Sequence, residues 1–303
     1  MPCYNNTVRL NQSIGSLLQQ NDKRFKLLFN DDASSDESVD MAKSLLRYSG
    51  LDYQVTQHQS RKGWLANFQT LYRKIETEYF LYLDCEDTLS NNYVSVVNQI
   101  IGQTSTSGNF DFLAPKYLEL GENSSTRRLL AAQQLNQIPY GIRLPHYLTL
   151  PSMAGIGYYI YSVQNFKKTE HIWQALWKET DDNPTKHLVE DIALSWALLS
   201  DCPNYTDCSD QITLAHFCKA EVDQTRLLLN EVAYQNIVGT TAPEIILEAL
   251  ELFKKISQAS SEAKRQAEEL VITNYRLKFL QQKLSEALSG KFNTIALLKA
   301  GTR

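Results

Sequence analysis

Three acidic residues, Asp84, Glu86 and Asp87, follow directly on an apolar segment at residues 79–83. Five apolar residues in a row favour a buried strand, and three carboxylates at its exit repel one another unless a positive charge lies between them. A divalent cation that also binds a phosphate is a common solution, because hard cations take carboxylate oxygens together with substrate phosphates. The alternative is a strand that leads into a helix N-terminus, where acids favour the helix dipole.

A second pair of acids, Asp31 and Asp32, follows the apolar segment 25–29 and precedes a helical pattern. Ser34 and Glu37 have the spacing of a capping box, which predicts that they cap that helix. Capping does not account for the adjacent aspartates. A carboxylate at this position could accept hydrogen bonds from the N–H groups of a nucleotide base or from ribose hydroxyls.

A third acidic pair, Glu190 and Asp191, precedes the apolar run 192–199, which predicts a buried helix with both acids in its first turn. Such acids stabilise a helix by about 0.3–1 kcal/mol through the helix dipole. The functional interpretation is a general base, because a carboxylate at a helix N-terminus stays ionised near neutral pH and can take a proton.

The elements that would position these acids alternate in type over the first 115 residues. Four apolar stripes with helical spacing (10–18, 39–46, 65–75 and 93–101) alternate with short strand patterns at 25–29, 53–56, 79–83 and 110–113. This alternation predicts an α/β fold with a mostly parallel sheet flanked by helices. Residues 116–185 are less periodic and rich in aromatics, which is typical of binding loops. An α-helical extension is predicted from about residue 242, with helices at 245–256 and 270–288 around a polar break at 257–263.

Composition excludes several classes of protein. A net charge of −4 indicates no general affinity for nucleic acid, and no apolar run reaches the 18 residues of a spanning helix. The five cysteines include no C-x-x-C pair, so reduced thiols are expected and a zinc site is not. Residues 261–303 carry eight Lys or Arg and four Glu, a net +4 that leaves −8 on the rest of the chain.

The order of these motifs resembles family 2 glycosyltransferases of the GT-A fold. Pro2-x-Tyr4-Asn5 and the segment 30–36 (NDDASSD) look like the opening of that family. Residues 61–67 (RKGWLAN) resemble its N-x-G-x-x-x-N step, residues 84–87 (DCED) its D-x-D-D element, and Glu190-Asp191 its E-D motif. The match runs in order over about residues 1–220.

The resemblance implies a role for each matching position. The nucleotide-sugar would be bound by Pro2, Tyr4, Asp31, Asp32, Lys62, Asp84 and Glu86. A Mg²⁺ or Mn²⁺ ion would be held by Glu86 and Asp87, with His216 nearby. Asp191 would be the catalytic base, with Glu190 beside it near the acceptor.

Two features depart from the family pattern. The second acid of the D-x-D element is Glu86, whose extra methylene shifts the metal geometry and makes ligation by Asp87 more plausible. Family members also carry an apolar first strand before the Pro-x-Tyr-Asn motif, whereas this chain begins at Met1-Pro2. We therefore expect the natural gene to start upstream or this chain to be a truncated product, since sheet neighbours would otherwise expose unpaired backbone groups.

The resulting prediction is an inverting glycosyltransferase with a GT-A domain at 1–220 and a helical extension at 221–303. It would use a nucleotide-sugar, UDP-linked by preference, and a saccharide, lipid-linked or protein-linked hydroxyl acceptor in bacterial polysaccharide or glycoconjugate synthesis. We expect it in the cytoplasm, at the inner face of the membrane or free of it. The C-terminal helices would pack on the catalytic domain, form a homodimer or dock on a membrane surface. A non-catalytic nucleotide- or partner-binding subunit is the first alternative, and a nucleotidyltransferase the second.

Overall fold

The computed structural model describes the N-terminal part of the chain continuously and the rest in segments. The described residues are 1–104, 112–114, 116–120, 126–128, 159–171, 174, 189–190, 193–194, 197, 205–207, 211–217, 243–270, 272–273, 280 and 284.

A parallel sheet of three strands, in the order β1-β2-β3, forms the N-terminal core. Its strands are β1 (Pro2–Cys3), β2 (Lys26–Asp31) and β3 (Asp52–Gln57). The register aligns Cys3 with Asp31 and Asp31 with Gln57, so all three strands end at the same edge. The segments that follow these strands therefore meet there, which is where open α/β sheets bind ligands.

Four helices cover this part of the fold, as the apolar stripes predict. They are α1 (Thr7–Leu18), α2 (Ser38–Leu46), α3 (Trp64–Tyr72) and α4 (Tyr93–Thr104). Each buries the side chains of its predicted stripe, for example Leu10, Ile14 and Leu17 on α1. The apolar side chains of α1, α2 and α4 pack with Phe29 of β2 in one core, and this burial provides most of the stability of such helices.

Two further sheets combine parallel and antiparallel pairs, with the orders β10-β6-β9-β4 and β5-β11-β7-β8. Their strands are β4 (Tyr79–Leu81), β5 (Asp87–Leu89), β6 (Phe112–Ala114), β7 (Lys116–Leu120), β8 (Thr126–Arg128), β9 (Ile160–Ser162), β10 (Tyr205–Asp207) and β11 (Thr213–Phe217). A short helix α5 (Val163–Phe166) and a 3₁₀ turn (Lys167–Thr169) follow β9. The fold is thus mixed α/β with a parallel sheet flanked by helices, as predicted.

The start of the chain lies inside this sheet. The Met1 amine donates to the carbonyl of Leu28 at 2.8 Å, and the carbonyl of Met1 accepts from the amide of Asn30 at 3.2 Å. Burial lowers the pKa of this amine to about 5. Met1 and the two residues of β1 therefore bond to β2, and a start upstream of Met1 stays a prediction.

The C-terminal helices are α6 (Pro243–Ile256) and α7 (261–270). Lys254 of α6 forms an ion pair with Glu268 of α7 at 3.1 Å. Lys264 of α7 donates to the carbonyls of Lys254 and Ser257, at 2.9 and 2.6 Å, and so satisfies acceptors at the end of α6. The polar break is shorter than the predicted 257–263, because helical backbone resumes at residue 261. Within the described part of the chain, no helix has the length and apolarity needed to cross a bilayer.

Candidate nucleotide-sugar site

The acids at 84–87 form a tight turn between β4 and β5. The amide of Asp87 donates to the carbonyl of Asp84 at 3.1 Å, and the amide of Cys85 donates to the Asp84 carboxylate at 2.7 Å. β4 ends at Leu81, two residues earlier than predicted, although Tyr82 and Leu83 remain buried. No helix follows the turn directly, so the alternative of a strand leading into a helix N-cap does not apply.

The carboxylates of this turn differ in their exposure. Asp84 and Glu86 are half-buried, whereas Asp87 starts β5 and is only 1% exposed. Asp87 lies directly opposite His216 in the antiparallel β5–β11 pair, so their backbones are neighbours, and metal binding by these two residues stays a prediction. Among the described residues, no group of three His, Cys, Asp or Glu could hold a metal ion. Asp84 and Glu86 nevertheless fit a hard cation that takes one or two carboxylates and completes its shell with phosphate and water.

Cys85, in the middle of this turn, stays a neutral thiol. A hydrogen bond with Cys3 and burial raise its pKa well above the usual range. Both cysteines are buried free thiols, as the cysteine count predicts. Cys202, Cys208 and Cys218 lie outside the described residues.

Asp32 is bonded to the loop that precedes α3. Its carboxylate accepts from the amides of Lys62 and Gly63, each at 2.8 Å, and from the imidazole of His58 at 2.9 Å. Gly63 has a φ of +84°, which favours glycine, and it is the N-cap of α3. Asp32 therefore fixes the start of α3, and contact with a nucleotide stays a prediction for this residue.

Asp31 organises the loop between β2 and α2. Its carboxylate accepts from the backbone amide of Ser34 at 2.7 Å and from the side-chain amide of Gln57 at 3.1 Å. The predicted capping box of Ser34 and Glu37 is wrong: α2 starts at Ser38, and Glu37, at its N-cap, makes no side-chain cap. The hydroxyl of Ser34 instead joins two loops, because it donates to the carboxylate of Asp31 at 2.5 Å and accepts from the backbone amide of Asn5 at 2.8 Å.

An exposed aromatic ring and a cation lie beside Lys62. The guanidinium of Arg61 stacks on the ring of Tyr4 at 3.9 Å from its centroid, and it donates to the Tyr4 hydroxyl at 3.3 Å. Tyr4 is 37% exposed, and Lys62 is exposed as well. The stack brings the loop after β1 and the loop before α3 together at the C-terminal edge of the sheet. The sequence motif contains Arg61, but only the fold pairs it with Tyr4.

Asn67 shows why the 61–67 motif needs an asparagine at its end. The residue is 2% exposed, and its amide donates to the carbonyl of Asn30 at 3.1 Å and accepts from the Asn30 side chain at 2.8 Å. It thereby fixes α3 against the end of β2. This role positions the site and requires no contact with a ligand.

The first loop also contacts the acidic turn. The side-chain amide of Asn6 donates to the carboxylate of Glu86 and to the sulfur of Cys85, each at 3.1 Å. The contact joins residues 80 positions apart, so the sequence pattern carried no signal for it.

The predicted catalytic pair is described only in part. Glu190 lies in a helical segment with Val189 and is 8% exposed, in agreement with a buried helix at this point. Asp191 lies outside the described residues, as does the side chain of His216. Tyr4, Asp32, Lys62 and Glu86 are thus linked to one sheet edge by direct contacts, whereas the position of the base relative to them stays a prediction.

Comparison with known proteins shows the family and the fold of this chain. A sequence model for glycosyl transferase family 2 matches residues 1–189. The structure resembles S. aureus TarS 1–349, with a TM-score of 0.58 and 14% identity over 94% of this chain and 90% of that chain. The structure of the same protein in complex with UDP-GlcNAc gives a TM-score of 0.56 and 15% identity, again over 94% of this chain and 90% of that chain.

A second solved structure has the same fold over a smaller part of its length. GalNAc-T7 with UDP, GalNAc and Mn²⁺ gives a TM-score of 0.51 and 14% identity over 73% of this chain and 42% of that chain. No curated protein sequence matches the chain significantly. Identities this low show a shared fold, while the family follows from the sequence model.

Proposed function

Because this chain belongs to glycosyl transferase family 2 and is a glycosyltransferase, we propose that it moves a sugar from a UDP-sugar to an acceptor hydroxyl with inversion. The observation that carries the proposal is the sheet edge itself. The exposed stack of Tyr4 and Arg61 and the exposed Lys62 lie at that edge, and the hydrogen bond from Asn6 to Glu86 links the half-buried carboxylates of the 84–87 turn to the loop after β1. These groups match a base, a diphosphate and a cation. TarS with UDP-GlcNAc and GalNAc-T7 with UDP and Mn²⁺ share the fold and support this donor class.

We assign the donor's parts to named groups. The base stacks on Tyr4, beside Arg61, and Pro2 and Asp32 shape the floor of this pocket. Lys62 faces the diphosphate, Asp84 and Glu86 approach the ribose, and Glu86 and Asp87 hold the cation, with His216 nearby. A bound Mg²⁺ or Mn²⁺ would neutralise the charge that develops on the leaving diphosphate.

Asp191 is the proposed general base, and Glu190 lies beside it near the acceptor. Asp191 removes the proton of the acceptor hydroxyl as that oxygen attacks the anomeric carbon and the bond to the diphosphate breaks. A single displacement of this kind inverts the anomeric configuration and needs no covalent enzyme intermediate. The ionised carboxylate of Asp191 is suited to this step because it stands near a helix N-terminus in the sequence pattern.

The acceptor is proposed to be a bacterial polysaccharide or a lipid-linked or protein-linked saccharide, handled in the cytoplasm. The C-terminal extension would hold the enzyme at an anionic membrane surface, with homodimer formation as the other outcome of the test. Leu280 and Leu284 are 63% and 61% exposed and stand four positions apart in the sequence. The net +4 of residues 261–303 suits anionic lipid.

The Asp191→Asn variant tests the assignment of the base. We expect near-total loss of sugar transfer with UDP affinity unchanged, because the amide keeps the shape but cannot take the proton. Asp40→Asn, at an exposed position on α2, is the matched control and should keep full turnover. Unchanged turnover in Asp191→Asn would remove this residue from the role.

A further inference from the structure

Asn6 occupies the N-cap position of α1 but does not cap the helix. Asparagine is among the preferred N-cap residues because its side-chain oxygen accepts a free backbone N–H of the first turn. The Asn6 side chain makes no such bond. It turns instead to the acidic turn, where its Nδ2 donates to Glu86 Oε1 and to Cys85 Sγ, each at 3.1 Å.

The other end of the same amide is unsatisfied. Asn6 is 2% exposed, and no donor among the described residues bonds to its Oδ1. The carboxylate of Glu86 fixes the orientation of the amide, since the flipped amide would set two oxygens against each other. A buried acceptor without a donor is destabilising and calls for an explanation beyond packing. The Asn6 side chain therefore contacts Glu86, while it makes no cap hydrogen bond and its buried oxygen accepts no hydrogen bond.

Glu86 is the acid for which such a contact matters. A glutamate carboxylate has one more rotatable bond than an aspartate carboxylate, so it loses more freedom when it is held in one place. Glu86 is also half-buried at the turn that faces the proposed diphosphate site. A hydrogen-bond donor held at Oε1 restricts the carboxylate in the free protein. The side chain therefore loses less conformational entropy when a ligand binds.

We propose that Asn6 is a positioning residue that holds the Glu86 carboxylate ready for a cation-bound nucleoside diphosphate. The inference rests on the proposed function, because it assigns Asn6 a part in that same site. Asn6 and Glu86 then form a matched pair, in which the asparagine compensates for the longer acid. Hydrogen-bonding partners of metal-binding carboxylates typically contribute about 10–100-fold to metal affinity.

The Asn6→Ser variant separates positioning from structural support. Serine is as good an N-cap as asparagine, but its hydroxyl is too short to replace the amide donor to Glu86. Calorimetric titration with UDP, with and without Mn²⁺, gives the factor by which the ion increases UDP affinity. We expect this factor to fall about tenfold in Asn6→Ser, while UDP affinity without the ion and the melting temperature of the free protein stay unchanged or rise.

Two further variants make the test specific. Asn98→Ser removes an amide–carboxylate hydrogen bond of the same kind, 3.0 Å to Asp22, and should leave the Mn²⁺ factor unchanged. Glu86→Asp withdraws the carboxylate from Asn6, so Asn6→Ser should add little in that background. Additive losses in the double variant would show that the two residues act independently and would overturn the pairing.

The remaining outcomes are distinct. If the wild-type protein and Asn6→Ser bind UDP equally well in the presence of Mn²⁺, the inference about Asn6 is overturned and the proposed function is not. A melting temperature lowered by several degrees in Asn6→Ser, with the Mn²⁺ factor kept, would assign Asn6 a purely structural role. Wild-type protein that binds no UDP under either condition overturns the proposed function, and the inference with it.

Discussion

Asp32 shows how a carboxylate at a ligand-binding sheet edge can serve the protein's own backbone. Its three donors come from two segments, His58 after β3 and the Lys62–Gly63 amides before α3. The carboxylate is 2% exposed, so water could not easily take its place as the acceptor for these donors. Any nucleotide that contacts this residue would meet a group already held in place.

The Asp32→Ala variant is expected to lose about 2 kcal/mol of unfolding free energy, because the loop amides would be left without an acceptor. Urea denaturation measures this loss. Asp40→Ala, an exposed aspartate in the first turn of α2, should lower the unfolding free energy by no more than about 1 kcal/mol, the value of its interaction with the helix dipole. Equal unfolding free energies of the two variants would show that the hydrogen bonds of Asp32 make no special contribution to stability.

Tyr4 offers the opposite case, an exposed ring whose loss should affect binding and not stability. Stacking of a base on an aromatic ring is worth about 1–3 kcal/mol. Tyr4→Ala is therefore expected to weaken UDP binding by about tenfold or more in calorimetry, with an unchanged melting temperature. Tyr48→Ala, which removes a tyrosine that is 90% exposed, is the control. Equal UDP affinity in the two variants would exclude Tyr4 from the base pocket.

At the scale of elements, in a protein that begins at Met1 the buried amine would make the free energy of unfolding depend on pH. Its pKa falls from 8.0 to about 5 on folding, chiefly through burial, so the unfolded chain binds the extra proton between these values. The free energy of unfolding should therefore rise as the pH increases from about 5 to 8, by at most roughly 4 kcal/mol, and level off above.

Chemical denaturation at pH 5, 6, 7 and 8 measures this rise for a protein that starts at Met1. The Nα-acetylated protein is the control, because its amide keeps a donor for the Leu28 carbonyl and carries no charge at any of these pH values. Identical pH dependence of the two forms would show that the amine is not buried in solution.

Local periodicity predicted the elements well and their ends poorly. The stripes at 10–18, 39–46 and 93–101 became α1, α2 and α4 because their apolar faces fill one core, and the stripe at 65–75 became α3, whose Phe68 packs on Phe80, Tyr82 and Phe166. The predicted capping box at Ser34 is wrong because α2 begins only at Ser38, and the oxygen of Ser34 accepts from the backbone amide of Asn5 instead. The contacts of Asn6 with Glu86 and of Tyr4 with Arg61 join residues 80 and 57 positions apart, and only the fold creates such pairs.

For the whole molecule, charge divides the chain into an acidic body and a basic end. The C-terminal 43 residues carry +4 against −8 elsewhere, and Leu280 and Leu284 are exposed on a helix within that end. Basic charge beside exposed leucine is the pattern of a helix that lies on an anionic bilayer. An enzyme held in this way would work on acceptors that are themselves at the membrane.

Flotation with liposomes tests this contact. We expect the full chain to float with vesicles that contain phosphatidylglycerol and to remain in solution with neutral vesicles or in high salt, because screening weakens the attraction. A version ending at Ser257 and the Leu280→Asn/Leu284→Asn variant should both remain in solution. A full chain that stays in solution but elutes as a dimer, in contrast to the shortened version, would favour the homodimer instead.

Release of the nucleoside diphosphate from a panel of nucleotide-sugars tests the central claim most directly. The purified chain is incubated with each donor, with and without Mn²⁺, and the free diphosphate is measured. We predict release from at least one UDP-sugar that depends on the ion and is lost in Glu86→Gln. Binding of UDP without release from any donor would contradict catalysis and favour a non-catalytic nucleotide-binding subunit.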